Sequence, residues 1–154
     1  MQFALRSTDS MTGPAGPRAG QYRSDLAADR AALDLLDRAG VGVLSEESGP
    51  RRPEAPVVVV LDPVDGSTNG SRGIPWFATS LCAVDEDGPR AALVRNQATG
   101  TTFTAIRGSG AFKDRAPIVP GAVVQLSEAI VGRSGLPGGH LDWAPVPRPR
   151  RGRP

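Results

Sequence analysis

Residues 57–69 read VVVVLDPVDGSTN. An unbroken run of Val and Leu is costly to leave in water, and a run this short suits a buried strand better than a helix. Residues 57–61 are therefore expected as a fully buried strand. Two acids stand where the run ends. Asp62 closes the strand, Pro63 fixes φ and stiffens the turn, and Asp65 follows one turn later, so both carboxylates can face the same point. Gly66 lets the backbone bend or approach a ligand closely. Ser67 and Thr68 offer hydroxyls and, if a helix starts there, free N–H groups for an anion. Hard carboxylate oxygens beside an anion cradle suggest Mg2+ and phosphate. An Asp-capped turn with Asp65 in solvent accounts for the same residues, and this segment alone leaves the two readings level.

Around this segment the sequence alternates element types. Residues 24–40 (SDLAADRAALDLLDRAG) place Leu26, Leu33 and Leu36 near one helical face, with Ser24 as N-cap, acid in the first turn and Gly40 as the stop. Residues 41–45 (VGVLS) form a short strand and residues 48–56 (SGPRRPEAP) a polar loop. Beyond the acidic turn, residues 75–96 give two strands joined by a hairpin at 85–88. TTFTAI (101–106), GSGAF (108–112) and EAIVG (128–132) are further short strands. One helix followed by many strands predicts an α+β fold with at least part of the sheet antiparallel. The sequence holds no internal repeat.

The chain has 154 residues, 39% of them hydrophobic, enough for about one domain with a real core. No apolar run approaches the length of a membrane span. Residues 1–20 lack the apolar stretch of a secretory signal and read as a flexible Gly/Pro-rich lead-in. The single cysteine, Cys82, excludes an internal disulfide and a CxxC metal site, and reads as a small core residue. These features predict a cytoplasmic protein.

The net charge of +2 misleads, because residues 145–154 (PVPRPRRGRP) carry four arginines and no acid, which leaves −2 on residues 1–144. Residues 137–154 have no hydrophobic period and are expected to be a Pro/Arg-rich disordered tail. No aromatic residues interleave with the arginines, which argues against nucleic acid as a partner. The chain holds 17 Arg against one Lys and is rich in Ala, Gly and Pro, as a GC-rich gene would encode. Out-of-frame reading of such a gene tends to yield this kind of string.

Two look-alikes of the acidic turn fail. Haloacid-dehalogenase phosphatases use D-x-D-G, whereas two residues separate Asp62 from Asp65. An EF-hand loop starting at Asp62 needs Glu at its twelfth position, which is Gly73. Upstream, LSEESG (44–49) sets Glu46 and Glu47 at the end of another expected strand. Taken together, SEES…VVVVLDPVDGSTNGSRGIPWFATSL closely resembles the inositol monophosphatase family of metal-dependent phosphatases. That family shows a Glu-Glu pair after a strand, then hydrophobic-D-P-[ILV]-D-G-[ST]-[TS]-N and R-G-x-P-x-[FY]. The segment RSDLAADRAA (23–32) is similar to the family's T-x-x-D helix, and the likeness runs on through GSGAF to Leu136. Residues 21–136 are accordingly expected as a partial domain of this kind.

The resemblance implies an αβαβα sandwich, a Mg2+ requirement, and hydrolysis of phosphate monoesters on small polyols, sugars or nucleotides. By position, Glu46 and Asp62 with the Val64 carbonyl oxygen would hold one metal ion, and Asp62 with Asp65 a second. Gly66 and Ser67 would present N–H groups to the substrate phosphate, which Glu46 also approaches. Ser67 Oγ and Asp25 would orient the attacking water, with Glu47 a lesser candidate for polarising it. No protein nucleophile is then required, and the lone His140 is left as a tail residue. The parent fold often dimerises, which makes a homodimer the candidate assembly.

The sequence also departs from the family. Members are longer, and their second half carries a W-D-x-A motif whose Asp completes the second metal site. Here HLDWAP (140–145) sets Asp142 before Trp143, in reversed order, just where the Pro/Arg string begins. Members usually have a helix before the T-x-x-D segment, where residues 1–20 here read as a loose lead-in. The chain reads as a truncated member, either still a phosphatase or an inactive remnant that binds metal and phosphate weakly.

Overall fold

In the computed structural model, which describes residues 22–122 and 124–128, the expected helix is α1, Arg23–Ala39. It is not capped by Ser24. Tyr22 is the N-cap, because the Asp25 carboxylate, three residues in, accepts the Tyr22 N–H at 3.2 Å. Ser24 is buried instead and donates its hydroxyl to Asp25 Oδ1 at 3.0 Å. At the far end Gly40 takes the left-handed conformation (φ 73°) and returns its N–H to the Asp37 carbonyl. Leu33 is buried and Leu36 packs beside it, as the helical spacing predicts. The rest of the buried stripe is small or acidic: Ala28, Asp29 and Ala32.

Eight strands form one sheet in the order β2-β1-β3-β4-β5-β6-β7-β8. They are β1 (Gly42–Ser45), β2 (Gly49–Arg51), β3 (Val58–Asp65), β4 (Ala78–Asp85), β5 (Gly88–Asn96), β6 (Thr102–Ile106), β7 (Gly110–Lys113) and β8 (Ala116–Ile118). A five-residue helix, α2 (Ser67–Ser71), follows β3. Every neighbouring pair is antiparallel except β1 and β3, which run parallel. The chain is thus α+β, with a largely antiparallel sheet. Helix α1 lies against β1 and β3, where Ala32, Leu33, Val43 and Leu61 form the core with Leu36 and Leu81. Ala28, Val64 and Phe77 make a second, smaller cluster.

Three expectations change. The 48–56 loop contains β2, an edge strand that reverses from β1 through a turn and begins at Gly49 (φ 76°). Its Pro50 costs no ladder bond on an edge. Residues 57–61 are not buried on both sides. Val59 and Leu61 point into the α1 face, whereas Val60 points the other way and is 43% exposed. Cys82, in register with Val60, is half-buried on that same open face rather than in the core. Strand β3 also runs beyond Leu61, through both acids. No helix among the described residues is long and apolar enough to cross a membrane.

The chain separates into two compact units, Met1–Pro120 and Gly121–Pro154. Within the second, Leu126–Glu128 form a 3-10 turn. Of the strand expected at 128–132, Glu128 lies in that turn and 129–132 fall outside the described residues, as do the lead-in at 1–20, His140 and the tail at 137–154.

Candidate active site

The register of β3 on β4 runs from Val58↔Val84 to Asp62↔Ser80 and resumes only at Asp65↔Ala78. The intervening bulge admits a proline and re-aims the side chains on either side of it. Pro63 is fully buried, and its carbonyl accepts the Thr79 hydroxyl at 2.8 Å. Gln97 Nε2 donates in turn to Thr79 Oγ1 at 2.8 Å. Val64 buries its side chain against Ala28 and Phe77, while its N–H donates to Asp62 Oδ1 at 3.1 Å. The Asp62 carboxyl is thereby turned toward the strand end, and Asp65 is left exposed beyond it.

Gly66 then reverses the chain into α2. Its φ is 82°, and a Cβ there would stand 2.9 Å from the Trp76 carbonyl oxygen, so the position demands glycine twice over. Asn69 holds the same carbonyl from within α2, donating Nδ2–H at 2.8 Å, and its own carbonyl accepts the Ile74 N–H. The GSTN motif and the PW pair ten residues on are therefore parts of one tight corner. No side chain caps α2, whose first N–H groups have no acceptor within the helix.

The parallel pairing of β1 with β3, Ser45 opposite Leu61, brings the C-terminal ends of both strands to one place. Glu46 donates its N–H to the Leu61 carbonyl at 2.9 Å, which seats the Glu46–Glu47 turn beside Asp62. The Glu46 and Asp62 carboxyls share a hydrogen bond. Burial, then the charges of Glu46 and Asp65, push the Asp62 pKa up to about 7. Asp25, at the start of α1, accepts the Ser67 hydroxyl and lies within the field of Glu46; burial, first of all, raises its pKa too. Five of the expected site residues, Asp25, Glu46, Asp62, Asp65 and Ser67, thus act on one another across α1, the β1–β2 turn, β3 and α2. Glu47 is half-buried in the same turn.

Two carboxyls held this close are a pair whose repulsion a cation would relieve, and their oxygens suit a hard divalent ion. Glu46 and Asp62 fit one such ion on that ground. Among the described residues no three His, Cys, Asp or Glu side chains are gathered to hold an ion, and Asp65 acts on Asp62 through its charge. A shallow groove of ≈ 380 Å3 opens beside the pair, lined by Leu44, Val60, Ser80 and Cys82 among others.

Sequence reasoning missed the polar residues that hold these turns from behind: Asp29, Ser45, Thr79 and Gln97, all buried. Asp29 was the most accessible of them, since it stands four residues after Asp25 and so on the same helical face. Thr79 and Gln97 offer no such sign.

The sequence pattern of the inositol monophosphatase family matches residues 23–135. Among curated proteins, the chain is 35% identical over 109 residues to inositol-1-monophosphatase ImpA of Mycolicibacterium smegmatis, covering 70% of this chain and 40% of that one. It is 42% identical over 94 residues to a fructose-1,6-bisphosphatase/inositol-1-monophosphatase of Archaeoglobus fulgidus, covering 59% and 36%. The crystal structure of extragenic suppressor protein suhB from Bartonella henselae superposes with a TM-score of 0.70 at 30% identity, over 79% of this chain and 50% of that one. The chain spans less than half the length of the curated relatives it matches here.

Proposed function

The chain belongs to the inositol monophosphatase family, and from that premise we propose that it carries the cation- and phosphate-handling part of a phosphatase for small phosphate monoesters, such as inositol monophosphate or related sugar or nucleotide phosphates. The observation that supports this best is the Glu46–Asp62 carboxyl pair at the joint end of β1 and β3. In this reading Glu46, Asp62 and the Val64 carbonyl hold Mg2+, and Asp62 with Asp65 supplies ligands to a second ion. Bound there, the ions would lower the pKa of water and offset phosphoryl charge. The remaining work falls to the chain. Gly66 and Ser67 offer N–H groups at the start of α2 to the phosphate. Asp25 accepts the Ser67 hydroxyl proton, which leaves the Ser67 Oγ lone pairs to accept from the attacking water and orient it. In the same reading Glu47, the lesser candidate, would help to polarise that water. A cytoplasmic setting and a homodimer belong to the same reading.

One observation favours a second reading, weak binding without turnover: no three ligand side chains are gathered about one point among the described residues. The test is release of inorganic phosphate from inositol monophosphate at millimolar Mg2+, with calorimetric Mg2+ binding alongside and Asp62→Asn as control. The expected result is Mg2+ binding that the control loses, with turnover below the ordinary range of about 1–10 s⁻¹, because a loosely held second ion misplaces the leaving oxygen. Turnover within that range, lost in the control, would show this chain sufficient by itself. Mg2+ binding that Asp62→Asn leaves intact would overturn the site.

A further inference from the structure

Among the described residues the fold buries one carboxylate that this chemistry does not use. Asp29 is 4% exposed and sits one helical turn after Asp25. Its Oδ1 accepts the Ser45 hydroxyl at 2.5 Å, the short end of the range for hydroxyl donors. Ser45 is itself 3% exposed, and its Oγ accepts the Glu47 N–H at 3.1 Å. A buried relay therefore runs from α1 through the last residue of β1 into the acidic turn.

We propose that Asp29 and Ser45 are positioning residues for the cation site, locking the Glu46–Glu47 turn onto the helix that also carries Asp25. The inference rests on reading Glu46 as a cation ligand. The Glu46 side chain is exposed and has several rotatable bonds, so its reach toward Asp62 depends on where the backbone on either side is fixed. On one side the Glu46 N–H is held by Leu61 O, within the sheet. On the other, the Glu47 N–H is held by Ser45 Oγ, and Ser45 is held by Asp29. Without the second hold the turn keeps its strand pairings, to β3 at Glu46 and to β2 at Ser45↔Gly49, but loses its tie to α1, and the Glu46 carboxylate samples positions away from its partner. Because α1 supplies both Asp25 and Asp29, one rigid element sets the water-orienting group and the ligand-bearing turn in a single frame.

Two measurements test this on the whole chain: calorimetric titration with Mg2+, and amide hydrogen exchange at Glu47 in the cation-free protein. Ser45→Ala should weaken Mg2+ binding by about tenfold or more, the range typical for groups that orient a ligand, and should speed Glu47 exchange. Ser45→Thr, which keeps the hydroxyl, should stay near the wild type in both. The double variant Ser45→Ala/Asp29→Leu separates positioning from folding, because replacing both partners of a buried hydrogen bond by apolar groups is nearly neutral for stability. Its melting temperature should return toward wild type while its Mg2+ affinity does not. Recovery of affinity together with stability would overturn the proposal. Should Ser45→Ala fail to fold, Asp29→Ala, which removes the acceptor, takes its place, and unchanged Mg2+ affinity there overturns the proposal equally. A wild type that binds no Mg2+ would defeat the phosphatase reading by itself; unchanged Glu47 exchange in the folded variants would then defeat the relay as well.

Discussion

At Asp62, burial, the Glu46 carboxyl and the Asp65 carboxylate act in one direction, raising the pKa from 3.8 to about 7. Folding therefore favours the protonated side chain. The stabilisation is complete at pH values below 3.8 and is lost as the pH rises through about 7. In the cation-free chain the melting temperature is expected to be higher at pH 5 than at pH 8, and Asp62→Asn should flatten that slope. Added Mg2+ should recover stability at pH 8, where the carboxylates are free of protons and ready to bind it. Thermal melts across this range check the point, and a wild-type melting temperature that does not change with pH would count against it. Asp62, Asp65 and Glu46 were legible in the sequence only through the compound pattern SEES…LDPVDGSTN and its family resemblance, since the acidic turn by itself reads equally well as a capped turn. Ser45 and Thr79 were not, because a small hydroxyl residue looks the same whether it faces water or holds a buried turn.

Between elements, the seam from β3 to β4 depends on Thr79, which is 2% exposed. Thr79→Val keeps the shape but removes the donor to the Pro63 carbonyl and the acceptor for Gln97 Nε2. Gln97 Oε1 already has no partner in the described structure, so the variant leaves the whole amide buried and unpaired. The expected cost is about 1–3 kcal/mol, read as a lower urea midpoint at an unchanged denaturant slope; a change within about 0.3 kcal/mol would show the bulge to be held by packing alone. The elements themselves were readable where periodicity and turn residues agreed, as in α1 and the β4–β5 hairpin. They were unreadable where a strand is defined only by its neighbour. GPR (49–51) becomes β2 because β1 lies beside it, and API (116–118) becomes β8 because β7 does. Four consecutive valines carry no alternation, so nothing local could say that Val60 faces outward.

Across the molecule, the sheet face away from α1 is apolar and open: Leu44 is 47% exposed, Val60 43%, Phe103 40% and Val94 39%. An exposed apolar surface of this kind favours association, and sedimentation velocity should show self-association that grows with protein concentration. Phe103→Glu, placed opposite Lys113 in the ladder, should reduce it by setting opposite charges across the strands; association unchanged in that variant would mean that the face is not responsible. The strand order carries a further consequence, for the timing of folding. From β4 to β8 each strand pairs with the next one in sequence across a short connection, so this part can zip up locally. Contacts of longer sequence separation form more slowly, and both pairings of β3 are of that kind: to β4 across the α2 corner (Val58↔Val84) and to β1 by the parallel β1–β3 pair (Gly42↔Val58). Glu46 meets Asp62 only when that pair closes. The meander from β4 to β8 can therefore form locally, and the acids meet only as the long-range pairings of β3 close.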